Sequence, residues 1–185
     1  RSRVNNHIPK DKIFLYDISK PKTIIRAFEK LKKIDVCINL AGGAGAAQSS
    51  KSIYEVNYLG VKYLYKACEK YGVKKFIQFS SASVYGNVKH NQIIDENSAV
   101  KPFNNYSVAK LMADNFLLSK DNSNVVTTIL RLPLVYGKHT SVTLPGLVEK
   151  IGQSKFILFG RGLNIVHPLH ISNLTDLIVK IVEKP

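Results

Sequence analysis

Two side chains in the segment YSVAK are spaced for proton transfer. Tyr106 and Lys110 stand at i and i+4, so on a helix they share one face about 6 Å apart. An ammonium group there favours the phenolate and lowers the phenol's pKa. A tyrosine tuned in this way can exchange a proton near neutral pH. Many solvated helices carry the same five-residue pattern, so its weight depends on its company. That company is a run, KFIQFSS, that ends on the hydroxyls of Ser80 and Ser81, with Ser83 two residues further on. Ser80 and Ser81 point to opposite faces of a strand, so at most one of them faces a given pocket. Serines at a strand end commonly do no more than cap a turn.

A second candidate is GGAGAA, residues 42–47, directly after DVCINLA. A dinucleotide fingerprint has the form G-x-G-x-x-G at the opening of a helix, with an acidic residue about 20 positions later. Here the glycines fall at 42, 43 and 45, so the match is partial. A flexible turn and a loop that lets backbone approach a cofactor are both open readings. No metal set is expected. His167 and His170 stand i, i+3 across Pro168 in a strand-like segment, His139 is remote in sequence, and structural histidines explain all three. The two cysteines, Cys37 and Cys68, exclude a disulfide scaffold and a cysteine zinc site and fit a reducing cytoplasm.

These residues must be held by elements, and the hydrophobic pattern supplies them. Residues 13–16 (IFLY), 35–41 (DVCINLA), 75–81 (KFIQFSS) and 125–132 (VVTTILRL) read as buried strands. Helices are expected over 22–33, with Ile24, Ile25, Phe28 and Leu31 inward, over 52–71 with Gly72 as C-cap, and over 106–119. A helix near 142–152, a short strand at 156–159 and a last helix over 172–184 complete the series. Strands separated by helices mean parallel crossovers. Apolar runs in place of strict alternation mean strands covered on both faces. The fold class is α/β with a doubly wound parallel sheet, in which ligands sit beyond the carboxyl ends of the strands. Both chemical candidates follow strands in this way.

Composition sets the outer bounds. The 185 residues are 45% hydrophobic and 22% charged, which is a globular balance. No apolar run approaches the ~20 residues of a membrane span, and no signal peptide is recognisable at the start. The net charge is +14. Of the 27 basic residues 22 are lysine, and they are spread along the chain, whereas base and phosphate readers favour arginine. Lys62, Lys66 and Lys70 form a stripe that a solvated helix face explains. The expectation is a positive field drawing in small anions, with no nucleic acid and no membrane as partner.

Taken together, SSASVYG, YSVAK and LRLPLVYG resemble the extended short-chain dehydrogenase/reductases, the NAD-dependent epimerase/dehydratase family. The resemblance covers nearly the whole chain: FLYDIS, DVCINLAG, YEVNYLGVKYLYKACEKYGVKKFIQFSSASVYG and HPLHISNLTDL all have counterparts in the family pattern. It implies a Rossmann-like sheet over residues 1–137, part of a substrate-binding region over 138–164, and a return segment over 165–185. The family pattern opens with a strand and G-x-x-G-x-x-G, which is absent here. The expectation is therefore that a first βαβ unit precedes residue 1, that the rest of a C-terminal lobe follows residue 185, and that the Gly42–Ser52 loop is short.

The resemblance also implies roles. Tyr106 is the acid/base, Lys110 lowers its pKa and holds the nicotinamide ribose, and Ser81 hydrogen-bonds the same substrate oxygen, with Ser83 beside the substrate. Asp17 is expected at the adenine, and Leu40, Ala41, Gly42 and Asn57 along the cofactor. Pro133, Leu134 and Val135 are expected beside the nicotinamide. The cofactor is NAD or NADP; Arg1 and Arg3 could face a 2′-phosphate or be surface charge. The family's 4,6-dehydratases carry Thr-Asp-Glu where this chain has Ser81, Ala82 and Ser83, and water elimination needs those carboxyls. The expected function is thus a cytoplasmic NAD(P)-dependent epimerase or reductase of a nucleotide sugar, with a homodimer left open. A reductase of a steroid-like carbonyl and an inactive NADP(H)-binding sensor or subunit are the alternatives.

Overall fold

The computed structural model describes residues 8–9, 12–31, 33–43, 48–88, 92–138, 151–153 and 165–184. The chain divides into two compact units, Arg1–Ser80 with Phe103–Leu130, and Ser81–Pro102 with Arg131–Pro185.

In the first unit, α1 (Pro21–Lys30) starts with proline at its first turn, where the missing N–H costs nothing. The turn before it is built by Asp17. Its Oδ1 accepts from the Ser19 N–H at 3.0 Å and the Ser19 hydroxyl at 2.7 Å, and its own N–H donates to Thr23 Oγ1 at 3.0 Å. Ile24, Ala27 and Phe28 face inward. Leu31, expected inward, lies beyond the last turn and is 38% exposed. Next come β1 (Val36–Asn39), α2 (Ser50–Tyr54), a π-helical turn (Glu55–Leu59), α3 (Gly60–Lys70) and β2 (Lys75–Ser81). The helical run closes at Gly72, where φ is +68°; a left-handed backbone there favours glycine. After α4 (Asn105–Leu118) the chain enters β3 (Val126–Leu132).

The sheet order is β1-β2-β3. β1 and β2 are parallel, with Val36 opposite Lys75, Cys37 opposite Phe76, Ile38 opposite Ile77 and Asn39 opposite Gln78. The core gathers Ile24 and Phe28 of α1, Val61, Leu64, Tyr65 and Cys68 of α3, Phe76 of β2, and Ala113 and Leu117 of α4. The Tyr65 ring meets Phe76 edge-on at 5.3 Å and Phe116 at 5.9 Å, a geometry that suits aromatic quadrupoles. Bare Gly60 lets α3 approach the turn before α1: a Cβ there would stand 2.9 Å from Ile18 Cγ1. The two cysteines, far apart in sequence, face each other across β1 and α3. A hydrogen bond between the thiols holds Cys37 down and pushes Cys68 up.

One expected strand is not formed. Residues 13–16 have no regular structure, and Leu15 is 90% exposed. Their apolar run suits a strand, but a strand exists only through a ladder with a neighbour, and among the described residues no strand pairs with it. The expected elements at 142–150 and 156–159 lie outside the described residues; Ile151 and Gly152 are helical.

In the second unit, the strand end turns through a 3-10 helix (Ala82–Tyr85) into Gly86, whose φ is +74° and whose open side is filled by the Lys101 carbonyl. Two short strands pair in parallel, β4 (Val135–Tyr136), which the sequence did not suggest, and β5 (Leu169–His170), which falls in the segment read as strand-like. They lead into α5 (Ile171–Glu183), where the ring of His170 caps the helix by accepting from the Ser172 N–H at 3.3 Å.

Candidate active site

The start of α4 sets where Tyr106 and Lys110 stand. The Asn104 side chain accepts from the Ser107 N–H at 2.8 Å, and Ser107 Oγ accepts from the Asn104 N–H at 3.1 Å. This reciprocal cap satisfies two donors that the helix cannot. Asn105 adds a bond to Ser50 Oγ at 2.6 Å, tying the start of α4 to the start of α2. Tyr106 thereby falls in the first turn and Lys110 one turn on. The Lys110 Nζ lies 5.7 Å from the centroid of the Tyr106 ring.

Lys110 is buried, 3% exposed. Its Nζ donates to the Phe79 carbonyl of β2 at 2.8 Å. Burial pulls its pKa down to about 8, against the opposing pull of Asp114 one turn further along the helix. An ammonium stripped of water resists its charge. The group is thus poised near neutrality, as functional lysines often are.

The loop after β1 arrives at the same place. Asn57, fully buried in the π-helical turn, accepts from the Gly43 N–H at 3.2 Å and donates to the Gly43 carbonyl at 2.9 Å. It donates also to the Ile53 carbonyl at 2.9 Å. Gly42 is bare for a reason: a Cβ there would stand 3.1 Å from both Asn57 Oδ1 and Lys110 Nζ. A widened helical turn at such a position re-aims one side chain out of register, a common device at functional sites.

Of the residues singled out by sequence, the first unit brings together Gly42, Asn57, Tyr106 and Lys110, with Ala41 next to them and Leu40 67% exposed at the loop's start. Asp17 stands in the turn before α1, where the bonds from Ser19 hold its carboxyl below the usual range. Ser81, Ser83, Pro133, Leu134 and Val135 belong to the second unit. There Ser81 Oγ accepts from the Ser83 N–H at 3.2 Å and from the Ser83 hydroxyl at 2.9 Å. With its oxygen so used, Ser81 keeps its own proton to donate. Pro133 is exposed, and Val135 pairs with Leu169.

Two residues escaped the sequence reading. Asn39 and Gln78, 2% and 0% exposed, are bonded side chain to side chain at 2.8 Å between β1 and β2. Their signal was present: each is a lone amide in an otherwise apolar run, and a buried polar group requires a partner. Among the described residues no group of three or more His, Cys, Asp or Glu could hold a metal ion, and no helix is long and apolar enough to cross a membrane.

A family model described as the NAD dependent epimerase/dehydratase family matches residues 1–185. An Escherichia coli O157:H7 relative, N-acetyl-alpha-D-glucosaminyl-diphospho-ditrans,octacis-undecaprenol 4-epimerase, is 34% identical over 128 residues, covering 68% of this chain and 38% of its own length. The human sterol-4-alpha-carboxylate 3-dehydrogenase, decarboxylating, is 28% identical over 172 residues, 90% of this chain and 45% of its own. The UDP-glucose 4-epimerase of Thermus thermophilus, solved with NAD, superposes with a TM-score of 0.82 at 20% identity, over 98% of this chain and 62% of that one. These likenesses show a Rossmann-type fold. The chain spans half or less of the length of the curated relatives it matches.

Proposed function

The chain belongs to the NAD dependent epimerase/dehydratase family, and on that footing we propose that it carries the proton-transfer centre of an NAD-dependent epimerase or reductase acting on a sugar joined to a nucleotide diphosphate. The observation that carries this reading is the convergence of Tyr106, buried Lys110 and the bare Gly42 backbone in one place. The residues fit a dinucleotide. Glycine leaves its backbone open where a Cβ would press on Asn57 and Lys110 at 3.1 Å, and the ammonium is a donor suited to ribose hydroxyls.

NAD, when bound, would take a hydride from the substrate carbon or give one to it. The chain's own residues do the rest. Lys110, with a pKa of about 8, is about nine-tenths charged at pH 7, and its charge favours the phenolate of Tyr106. Tyr106 takes the proton of the substrate hydroxyl and returns it when the ketone is reduced. Ser81, with its proton still to donate, is assigned the bond to the substrate oxygen. Asn57 fixes the backbone of Gly43, so that residue needs little reordering when a cofactor docks. Asp17, Leu40, Ala41, Pro133 and Val135 are assigned to the cofactor, and Ser83 to the substrate. Ala82 offers no carboxyl for eliminating water, which supports epimerisation or reduction over dehydration. A net charge of +14 suits a diphosphate. The E. coli relative's substrate, as its name describes it, also carries its sugar on a diphosphate.

A second reading has its own support. The human sterol dehydrogenase relative aligns with 90% of this chain, which favours a nucleotide-free carbonyl or hydroxyl substrate. One experiment separates the two: the full-length protein is incubated with a panel of nucleotide sugars and of sterol-like carbonyls, each with NAD and NADP. Interconversion of two sugar epimers without net change in cofactor absorbance is the expected result. Net cofactor oxidation by a keto sugar selects the reductase. Turnover of nucleotide-free carbonyls alone would overturn the sugar assignment.

A further inference from the structure

The sheet interior carries a polar chain that the proton-transfer reading does not use. The Ala41 N–H donates to Asn39 Oδ1 at 3.1 Å. Asn39 Nδ2 donates to Gln78 Oε1 at 2.8 Å, and Gln78 Nε2 donates to the Phe79 carbonyl at 3.0 Å. That carbonyl also accepts from Lys110 Nζ at 2.8 Å. The ends fix the direction of every bond between them. A backbone N–H and an ammonium can only donate, and a carbonyl can only accept. Asn39 must therefore present its oxygen to Ala41 and its nitrogen to Gln78, and Gln78 must present its nitrogen to Phe79. A flip of either amide would set two donors or two acceptors against each other.

We propose that the Asn39–Gln78 amide pair is a positioning device that ties the loop backbone at Ala41 to the carbonyl holding Lys110. The proposal rests on the reading of Lys110 as the group that serves Tyr106. The two amides sit directly opposite each other in the β1–β2 register, so they cannot slide without slipping the ladder. Gly42 then lies between two clamps, Asn39 on Ala41 and Asn57 on Gly43. A buried amide pair costs more to desolvate than a hydrophobic pair of the same shape, and a single broken partner costs most. A sheet that needed only stability would place leucine or valine at both positions. What the amides add is a fixed distance between the loop and the lysine.

The test uses three variants of the full-length protein, Asn39→Leu, Gln78→Met and the double Asn39→Leu/Gln78→Met, beside Lys110→Met. Each single variant strands one buried amide, whereas the double removes both. The expected result is that the urea midpoint, lowered in each single variant, recovers in the double. At the same time kcat stays about tenfold to a hundredfold below the parent in all three, the scale of a small misplacement at the reacting centre, while KM for the sugar substrate changes less than about twofold. A purely structural pair would restore kcat together with stability, and that outcome overturns the proposal. If Lys110→Met is inactive and the double variant is fully active, this proposal alone falls. If Lys110→Met turns over like the parent, the reading of Lys110 falls and takes this proposal with it.

Discussion

Asn57 holds Gly43 by both of its backbone polar groups, accepting from its N–H at 3.2 Å and donating to its carbonyl at 2.9 Å. An amide side chain carries both halves of that grip on separate atoms. Asn57→Asp keeps the acceptor but turns two donated bonds, to Gly43 and Ile53, into contacts between oxygens. We expect a loss of unfolding free energy of about 2 kcal/mol or more, the cost of orphaned buried polar groups. Dinucleotide affinity should fall more than tenfold by calorimetry. Unchanged affinity would show that the loop's geometry does not matter to binding.

Gly42→Ala probes the same loop from the other side. The added methyl would stand 3.1 Å from Lys110 Nζ and from Asn57 Oδ1, tighter than a comfortable contact. The lysine end is flexible and can give way, so the fold should survive with a small loss, within about 1 kcal/mol. Displacing the ammonium should nevertheless lower kcat by about tenfold or more. A variant with parental kcat would mean that the Gly42–Lys110 approach is incidental.

Lys110→Met should separate stability from activity. In the unfolded chain this lysine keeps its proton up to about 10.5; in the fold burial brings the pKa down to about 8. Between those values the unfolded state binds more protons, so stability rises with pH. Below pH 8 the fold carries the whole cost of the buried charge, on the order of 3 kcal/mol. Methionine fills similar space without charge, and the Phe79 carbonyl keeps its bond from Gln78. Chemical denaturation should find the variant more stable than the parent at pH 7, with the difference closing as pH rises from about 8 towards 10.5. A difference independent of pH would show that the lysine is not titrating in the fold.

Tyr65 offers a test of core packing alone. Its ring is fully buried among aromatics, and its hydroxyl finds no hydrogen-bond partner among the described residues. Tyr65→Phe keeps the ring contacts and removes the stranded oxygen, so the urea midpoint should rise, by roughly 1 kcal/mol in free energy. A loss of stability instead would reveal a partner for that hydroxyl.

Much of the fold was legible because the strands of a parallel sheet write their sequence as apolar runs, although only β2 is largely buried, and β1 and β3, expected buried, are mostly half-buried or exposed. KFIQFSS gave β2 at its observed limits, Lys75–Ser81, and the YSVAK helix began within one residue of its capped start. IFLY misled because an apolar run states a propensity, while a ladder needs a neighbour. The β4–β5 pair was too short to leave any period. At the site, spacing alone placed Tyr106 and Lys110 on one face. The tuning of Lys110 and the amide chain beneath it depend on bonds between residues 31 and 39 positions apart, which no local pattern encodes. Asn39 and Gln78 were visible as misplaced amides, yet their meaning required the register between two strands.

The central claim is that Tyr106 moves the proton while the rest of the site binds. The most direct measurement is single turnover of the full-length protein with NAD and its sugar substrate, comparing the parent with Tyr106→Phe. The account predicts a chemical step slowed by about 10²- to 10⁴-fold, the usual worth of a positioned acid/base, with dinucleotide and sugar dissociation constants changed less than about threefold. Unchanged turnover in the variant would contradict it.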